Sequence, residues 1–453
     1  MGTAESHKIR VDPARRFKPD RPSCVQSQKV ISMIRPPSSP YRIDRADSQR
    51  PITRTHLMRT RFYLLMLAFI AFISLGLPDA LLGIAWPFMR VDLNQPLAAN
   101  GIIVLAATLG AALSGFFSAR MGRWLGIGRL LSLSCLLTGT ALLGYTLAPS
   151  LAWIAVASAV IGLAAGATDA TINGYIAKNF SAGLMQWLHA SFGVGITLGP
   201  VVMTWVLVHE YDWRLGYQIH SVIQLLLMIL FLVTAGLWLV VQRAPAEGAA
   251  EVVSHAADAH NTGMLESFGN VRVWLSMALF FCYTGLEFSM GLWTFSLLTD
   301  VRGMSTAQAG AWVSVYWGMF TVGRIVMGFV SSRISQNQLM TLSLVLALVG
   351  ALAYALNLSL LTNLLALVVI GFAYAPMYPA LVSDTLNRLG SRHFNNAIGL
   401  QVTAASLGIA ILPGSIGLLV TQFSLALFPW LLLCLTTLLV GLYLIAHRLG
   451  NSD

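Results

Sequence analysis

Twelve apolar segments, one polar stretch between the sixth and the seventh, and matching motifs in both halves predict the fold class. It is an all-α polytopic membrane protein, with twelve transmembrane helices arranged as two six-helix bundles.

The apolar segments come first. Of 453 residues, 56% are hydrophobic and 10% charged, and the mean hydropathy is +0.72. A soluble domain carries roughly 25% charged residues, so most of this chain must meet lipid or other buried helices. A bilayer core about 30 Å thick needs about 20 apolar residues per helix. Runs of that size fall at 62–88, 97–118, 127–147, 151–177, 187–208 and 216–241. They resume at 271–299, 307–332, 337–357, 360–383, 394–421 and 425–447. These are spans 1 to 12.

The polar stretch sets the domain boundaries. A tail at 1–58 precedes an N-terminal bundle at 59–241, and a linker at 242–270 joins it to a C-terminal bundle at 271–448, with a short tail at 449–453. The linker holds Glu247, Glu251, Asp258, Glu266, His255 and His260.

Charge placement orients the chain. Residues 1–61 hold fourteen Lys and Arg against five acids, which leaves +9 of the chain's net +10 there. A basic tail beside a span fits the positive-inside rule better than it fits nucleic acid. With the N-terminus inside, the inner loops carry Arg120, Arg123, Arg129, Lys178, Arg243, Arg333, Arg388 and Arg392. The outer loops carry only Arg90, Arg214 and Arg302. Both termini are therefore expected in the cytoplasm, and the chain in the plasma membrane, the inner membrane of a bacterium. The tail is rich in Pro, Ser and Arg without apolar periodicity, the composition of a disordered segment. Met58 opens a short basic head directly before span 1, so it reads as an alternative start, with 1–57 as an extension.

The halves repeat each other. Gly115-Phe-Phe-Ser-Ala119-Arg120-Met-Gly122-Arg123 follows span 2, and Gly328-Phe-Val-Ser-Ser332-Arg333 follows span 8. Span 5 contains Gly195-Ile-Thr-Leu-Gly-Pro200, and span 11 contains Gly408-Ile-Ala-Ile-Leu-Pro413. Two matches in register point to a duplicated six-helix unit.

The six-plus-six pattern and the Gly115, Arg120, Gly122, Arg123 loop resemble the signature of the major facilitator superfamily. Ala119 stands where that signature usually has Asp. Within the superfamily the chain looks most like the fucose permease-like carriers, the fucose–galactose–glucose:proton symporters. The pieces are GLPDALLGIAWP in span 1, GATDATINGY in span 4 and LHASFGVGITLGP in span 5. They continue with YTGLEFSMGLW in span 7, YWGMFTVGRIVMG in span 8 and AYAPMYPAL in span 10. The resemblance implies alternating access, and it places Asp169 and Asn173 at sugar hydroxyls with coupling to proton release.

Ionisable groups inside a bilayer cost about 2.5–3.5 kcal/mol on insertion scales and mark function by default. Asp79 lies deep in span 1. Either it carries a proton across, or it caps backbone unwound near Pro78. Asp169 and Asn173 lie four residues apart on one face of span 4, where carboxylate and amide together suit a polyol; the alternative is a helix–helix hydrogen bond. Asp79 and Asp169 are the expected proton-coupling pair. Asn173, Glu287, Tyr283, Trp293 and Gln401 are the expected substrate contacts. Arg324 is read as a charge partner for Glu287. Gly115, Arg120, Gly122, Arg123 and Arg333 are expected to serve gating. His189 reads as a titrating group or as a hydrogen-bonded structural one. Gly193, Gly195 and Gly199 fit close helix approach, and Pro200, Pro376 and Pro379 fit bends. Trp86, Tyr175, Trp293, Tyr316, Trp317, Tyr374 and Tyr378 are aromatic platforms for a sugar face or interface anchors.

The sequence has no Walker loop, HExxH, GxSxG or dinucleotide fingerprint. Cys24, Cys135, Cys282 and Cys434 form no CxxC pair. The expectation is thus a carrier and not an enzyme, with no cofactor and no metal. Its partners would be a small solute, a proton and the bilayer, with no nucleic acid, and it would act as a monomer. Proton-coupled symport of a sugar or other small polar solute is the first reading. Proton-driven efflux of a drug or metabolite is the second, and an apolar cavity would favour it.

Overall fold

The computed structural model describes residues 54–180, 182–242, 264–330 and 333–450, all within the compact unit Thr53–Asp453. Most of the expected tail, residues 1–53, and most of the expected linker lie outside the described residues, as does Cys24. Helices dominate, and no strand occurs among the described residues. Among the described residues, twelve helices are long and apolar enough to cross a membrane. They are Arg59–Asp92, Leu97–Ser114, Ile127–Thr146, Leu151–Ile176, Trp187–Val208 and Trp213–Val233 in the first half. The second half contributes Val271–Val301, Thr306–Val330, Gln336–Leu356, Leu360–Ser383, Asn396–Gln422 and Leu425–Leu449.

Boundaries differ from the expected ones where local chemistry intervenes. Span 6 begins three residues early because the Asp212 side chain accepts the Arg214 amide at 2.7 Å, an N-cap that hydropathy does not register. The same corner carries an ion network in which Arg214 reaches the Asp92 carboxylate at 2.8 Å. The Trp213 indole donates to that carboxylate at 2.8 Å, so the end of span 1 is tied to the start of span 6.

Span 1 is two helices, Arg54–Gly76 and Leu81–Asp92, separated by a turn. Pro78 explains the break. It has no N–H to give the Ser74 carbonyl one turn back, and an unpaired carbonyl in a bilayer costs several kcal/mol. Gln224 of span 6 supplies the missing donor, its Nε2 lying 2.7 Å from the Ser74 oxygen.

Each half packs within itself: span 2 on 4 and 3 on 6 in the first, 7 on 11, 8 on 10 and 9 on 12 in the second. Three pairs cross between halves: span 5 with 8, span 2 with 11, and the second part of span 1 with span 7. Odd spans run away from the N-terminus, so the molecule has an N-terminal face and a far face. Most of the crossing contacts lie toward the far face. A side chain added at Gly83 would strike the Gly291 carbonyl, and one at Gly101 would meet the Gly414 Cα. Near the same face, Gly417 lies against Trp293 and Ala98. Toward the N-terminal face spans 5 and 8 stay together, with the Trp187 and Phe329 rings 5.3 Å apart. Span 4 packs chiefly on spans 2 and 3.

The Gly83 contact is backbone to backbone and cannot yield by a rotamer change. Gly83→Val is therefore expected to force spans 1 and 7 apart and open the far face. A spin-label pair on the far ends of spans 1 and 7 should show a longer mean distance in the variant. Superimposable distance distributions would refute this role of the contact.

Candidate functional site: the cavity between the bundles

A cavity of about 260 Å³ lies between the halves. Spans 1, 2 and 4 contribute Asp79, Gly83, Val104, Thr108, Ser158 and Ile161; spans 7, 8 and 11 contribute Phe288, Leu292, Trp317, Ser406 and Ile409. The far-face contacts close it above. Asp169 lies one turn beyond Ala165 of the cavity wall, toward the N-terminal face, and is exposed.

Asp79 lines the cavity and is exposed to it, at the turn that Pro78 creates. Among the described residues it is the only charged one in the lining. Asp169 lies close enough for its charge to act on Asp79. The Asn173 amide donates to the Asp169 carboxylate at 3.0 Å. Its own Oδ1 is buried without a hydrogen-bond partner. Tyr378 of span 10 feels Asp169, Glu287 and Arg324 together, so these groups of both halves converge on one region.

Several expected contacts are placed elsewhere. Gln401 is 1% exposed, and its Nε2 donates to Ser276 at 2.6 Å and to Thr385 at 3.0 Å. In this structure it forms a buried tie between spans 7 and 11, away from the cavity lining and beside the Asp384–Arg388 ion pair at 3.0 Å. Trp293 is fully buried and donates to the Pro413 carbonyl at 3.0 Å, so it belongs to the far-face seal and not to the cavity wall. Tyr283 is fully buried too, with its hydroxyl donating to the Tyr374 carbonyl at 2.9 Å. Glu287 is 6% exposed behind the cavity surface, beside Tyr283, and its backbone carbonyl accepts from Tyr316 at 3.4 Å.

Arg324 and Glu287 feel each other's charge, but no ion pair between them occurs among the described residues. Arg324 instead donates to the His189 carbonyl at 3.4 Å and stacks on Phe320, 4.3 Å from the ring centroid. The His189 ring packs edge-on against Phe72, with centroids 5.6 Å apart. In the signature loop, the side chains of Gly115, Arg120 and Arg123 lie outside the described residues. Gly122 faces open space, and Arg333 is exposed at the end of span 8.

Of the seven aromatic platforms, Trp317 lines the cavity, and its indole N–H is buried without a partner. Trp86 is spent on a bond to the Leu97 carbonyl at 2.8 Å. The structure adds Tyr145 and Tyr217, whose rings stack 4.8 Å apart in the cavity wall. The Tyr145 hydroxyl shares a hydrogen bond of 2.6 Å with Ser158. Both tyrosines lie near the far ends of their spans, where the sequence pattern of an interface anchor is the same; no sequence signal separates the two roles.

The comparisons with known proteins bear on this arrangement. Residues 64–413 match the profile of the Major Facilitator Superfamily. The chain belongs to that superfamily. The glucose/mannose transporter GlcP of Bacillus subtilis (strain 168) is 21% identical over 388 residues, covering 84% of this chain and 94% of that one. Bypass of stop codon protein 6 of Saccharomyces cerevisiae (strain ATCC 204508 / S288c) is 25% identical over 194 residues, 40% of this chain and 39% of the yeast protein. Among solved structures, the proton:xylose symporter XylE bound to 6-bromo-6-deoxy-D-glucose superposes with a TM-score of 0.65. At 15% identity it covers 86% of this chain and 96% of its own. The chain is thus a membrane transporter and not an enzyme.

Removing Gln401 separates its two readings. Gln401→Leu should lower stability by about 1 kcal/mol, the worth of a buried hydrogen bond. Solute affinity, measured by thermal shift or flux, should not change. A weaker affinity with stability intact would restore Gln401 to the site.

Proposed function

We propose that the protein is a proton-coupled symporter of a sugar or other small polar solute, working by alternating access. The observation that carries this reading is the pair Asp79 and Asp169. Two carboxyls on different spans of one bundle are exposed where a central cavity meets the opening toward the N-terminal face. A lone carboxylate in a bilayer is costly and marks a proton or ion path. In this reading the N-terminal face is cytoplasmic, as the positive-inside rule requires, and the structure corresponds to the inward-facing state. Asp79 and Asp169 take up protons with the solute when the far face is open, and release them inside.

The contacts to solute fall to Asn173, Trp317 and the Tyr145–Ser158 pair. Asn173 Oδ1 and the Trp317 indole N–H are both buried and unpartnered. Trp317 lines the cavity, and a polar atom left unpaired there is what a hydroxylated ligand would satisfy. GlcP and XylE are named for glucose, mannose and xylose, which supports the same class.

One observation favours the second reading, proton-driven efflux of a drug or metabolite. Apart from Asp79, the cavity wall is mostly aliphatic and aromatic, and such a lining accepts an amphipathic solute readily. Proteoliposomes under an imposed pH gradient discriminate. Accumulation of labelled hexoses or pentoses supports symport. No sugar accumulation, with toxic compounds expelled by cells that carry the gene, supports efflux.

Asp79→Asn should abolish gradient-driven accumulation while leaving counterflow exchange. Normal accumulation by this variant would remove Asp79 from coupling. Asp169→Asn should also weaken solute binding, by about tenfold for one charge-assisted hydrogen bond; unaltered affinity would count against its place in the site.

A further inference from the structure

A second, smaller cavity lies inside the N-terminal bundle, directly behind Asp79. Its volume of about 20 Å³ holds one water-sized occupant. Asp79 lines both cavities and so forms the partition between them.

The wall of the small cavity is rich in oxygen. Ser134 and Thr138 of span 3, Thr168 of span 4 and Gln224 of span 6 all line it, and all are buried. Hydroxyls in apolar helices usually bond back to a carbonyl of their own helix, as Thr140 does to Leu136 at 2.8 Å. Ser134, Thr138 and Thr168 make no hydrogen bond among the described residues. Gln224 spends its Nε2 on the Ser74 carbonyl, which leaves its Oε1 as an acceptor. Leu75 also lines the cavity. The Asp79 amide turns to the Gly76 carbonyl at 3.3 Å, so the Leu75 carbonyl loses its helical partner at the break.

We propose that this pocket is a binding site for a single sodium ion, held by the Asp79 carboxylate and the surrounding neutral oxygens. Apart from the Cys135 thiol, the donors lining the pocket are oxygens, the choice of a hard cation, and no imidazole lines it. It holds one carboxylate, so a monovalent ion leaves the site neutral, whereas a divalent one would strand a positive charge within the bilayer core. A proton would neutralise Asp79 equally well but would leave the three hydroxyl oxygens without a shared partner. Access runs past Asp79 from the central cavity. Sodium and a proton are alternative occupants of one carboxylate, so this site goes beyond the proton reading and does not depend on it.

The test is thermal unfolding of the purified full-length protein in detergent, at fixed pH and without solute, in sodium chloride against equal choline chloride. Sodium at about ten times its Kd should raise the folding equilibrium constant about tenfold, seen as a higher Tm than in choline. Thr138→Val should lose the sodium-dependent rise while matching the wild type in choline. Ser134→Ala, a smaller change, should weaken it. The proposal is overturned by equal Tm values in the two salts, the result expected of a water-filled pocket. It is overturned equally by a sodium response that both variants leave intact. Solute accumulation under a pH gradient in sodium-free buffer tests the proton reading separately.

Discussion

Every backbone carbonyl inside a bilayer must find a donor, and the break in span 1 is where this structure meets that demand most visibly. Pro78 withholds the N–H that the Ser74 carbonyl would normally accept, and Gln224 returns one at 2.7 Å from another span. The repair fixes span 6 against span 1. It also leaves a stretch of chain at Leu77–Ala80 that need not follow helical geometry. Asp79 sits in that stretch, and the turn lets it reach both the central cavity and the pocket behind it. An unbroken helix would present that position to one surface only.

Closure of the far face rests on a different economy. Helices in lipid gain little from burying apolar side chains against one another, so close backbone approach and small residues carry the association. Gly83 against Gly291 and Gly101 against Gly414 are of this kind. The pair formed by spans 5 and 8 differs: Gly193 lies against Thr321, Thr197 and Thr321 share a hydrogen bond of 3.1 Å, and Trp187 meets Phe329 further on. That seam continues to the N-terminal face, where the other crossing pairs do not. It has the properties of an axis about which two bundles can rock while the remaining contacts form and part.

The number of spans and their order were legible in the sequence, because hydropathy and length alone decide which segments cross a bilayer. Asp79, Asp169 and Asn173 stand out in the sequence for a related reason: a polar group in an apolar run is conspicuous. Direction was not. Gln401, Trp293 and Tyr283 are polar or aromatic at similar depths, yet each spends its donors on a neighbouring span. Which way a side chain points depends on helix rotation within the bundle, and helices apolar all round show no periodic face to reveal it. Span 4, with no net amphipathic direction, illustrates the failure.

The same distinction explains why the two bundles contribute unequally to the cavity. The N-terminal half places Asp79 and Asp169 where water reaches them, whereas the C-terminal half keeps Glu287 behind aromatic rings and turns Phe288, Leu292 and Trp317 inward. A carboxylate and a guanidinium in direct contact inside a bilayer would cancel each other's charge and lock the spans that carry them. Arg324 instead rests on Phe320 and a backbone carbonyl, so Glu287 feels its charge without being tied to it. The exposed acids on one side thus remain the groups able to exchange an ion with solvent, while the other side offers a largely uncharged wall. On the proposed reading, an ion bound by one bundle and a solute gripped by both would give a physical reason for the bundles to move together only when both ligands are present.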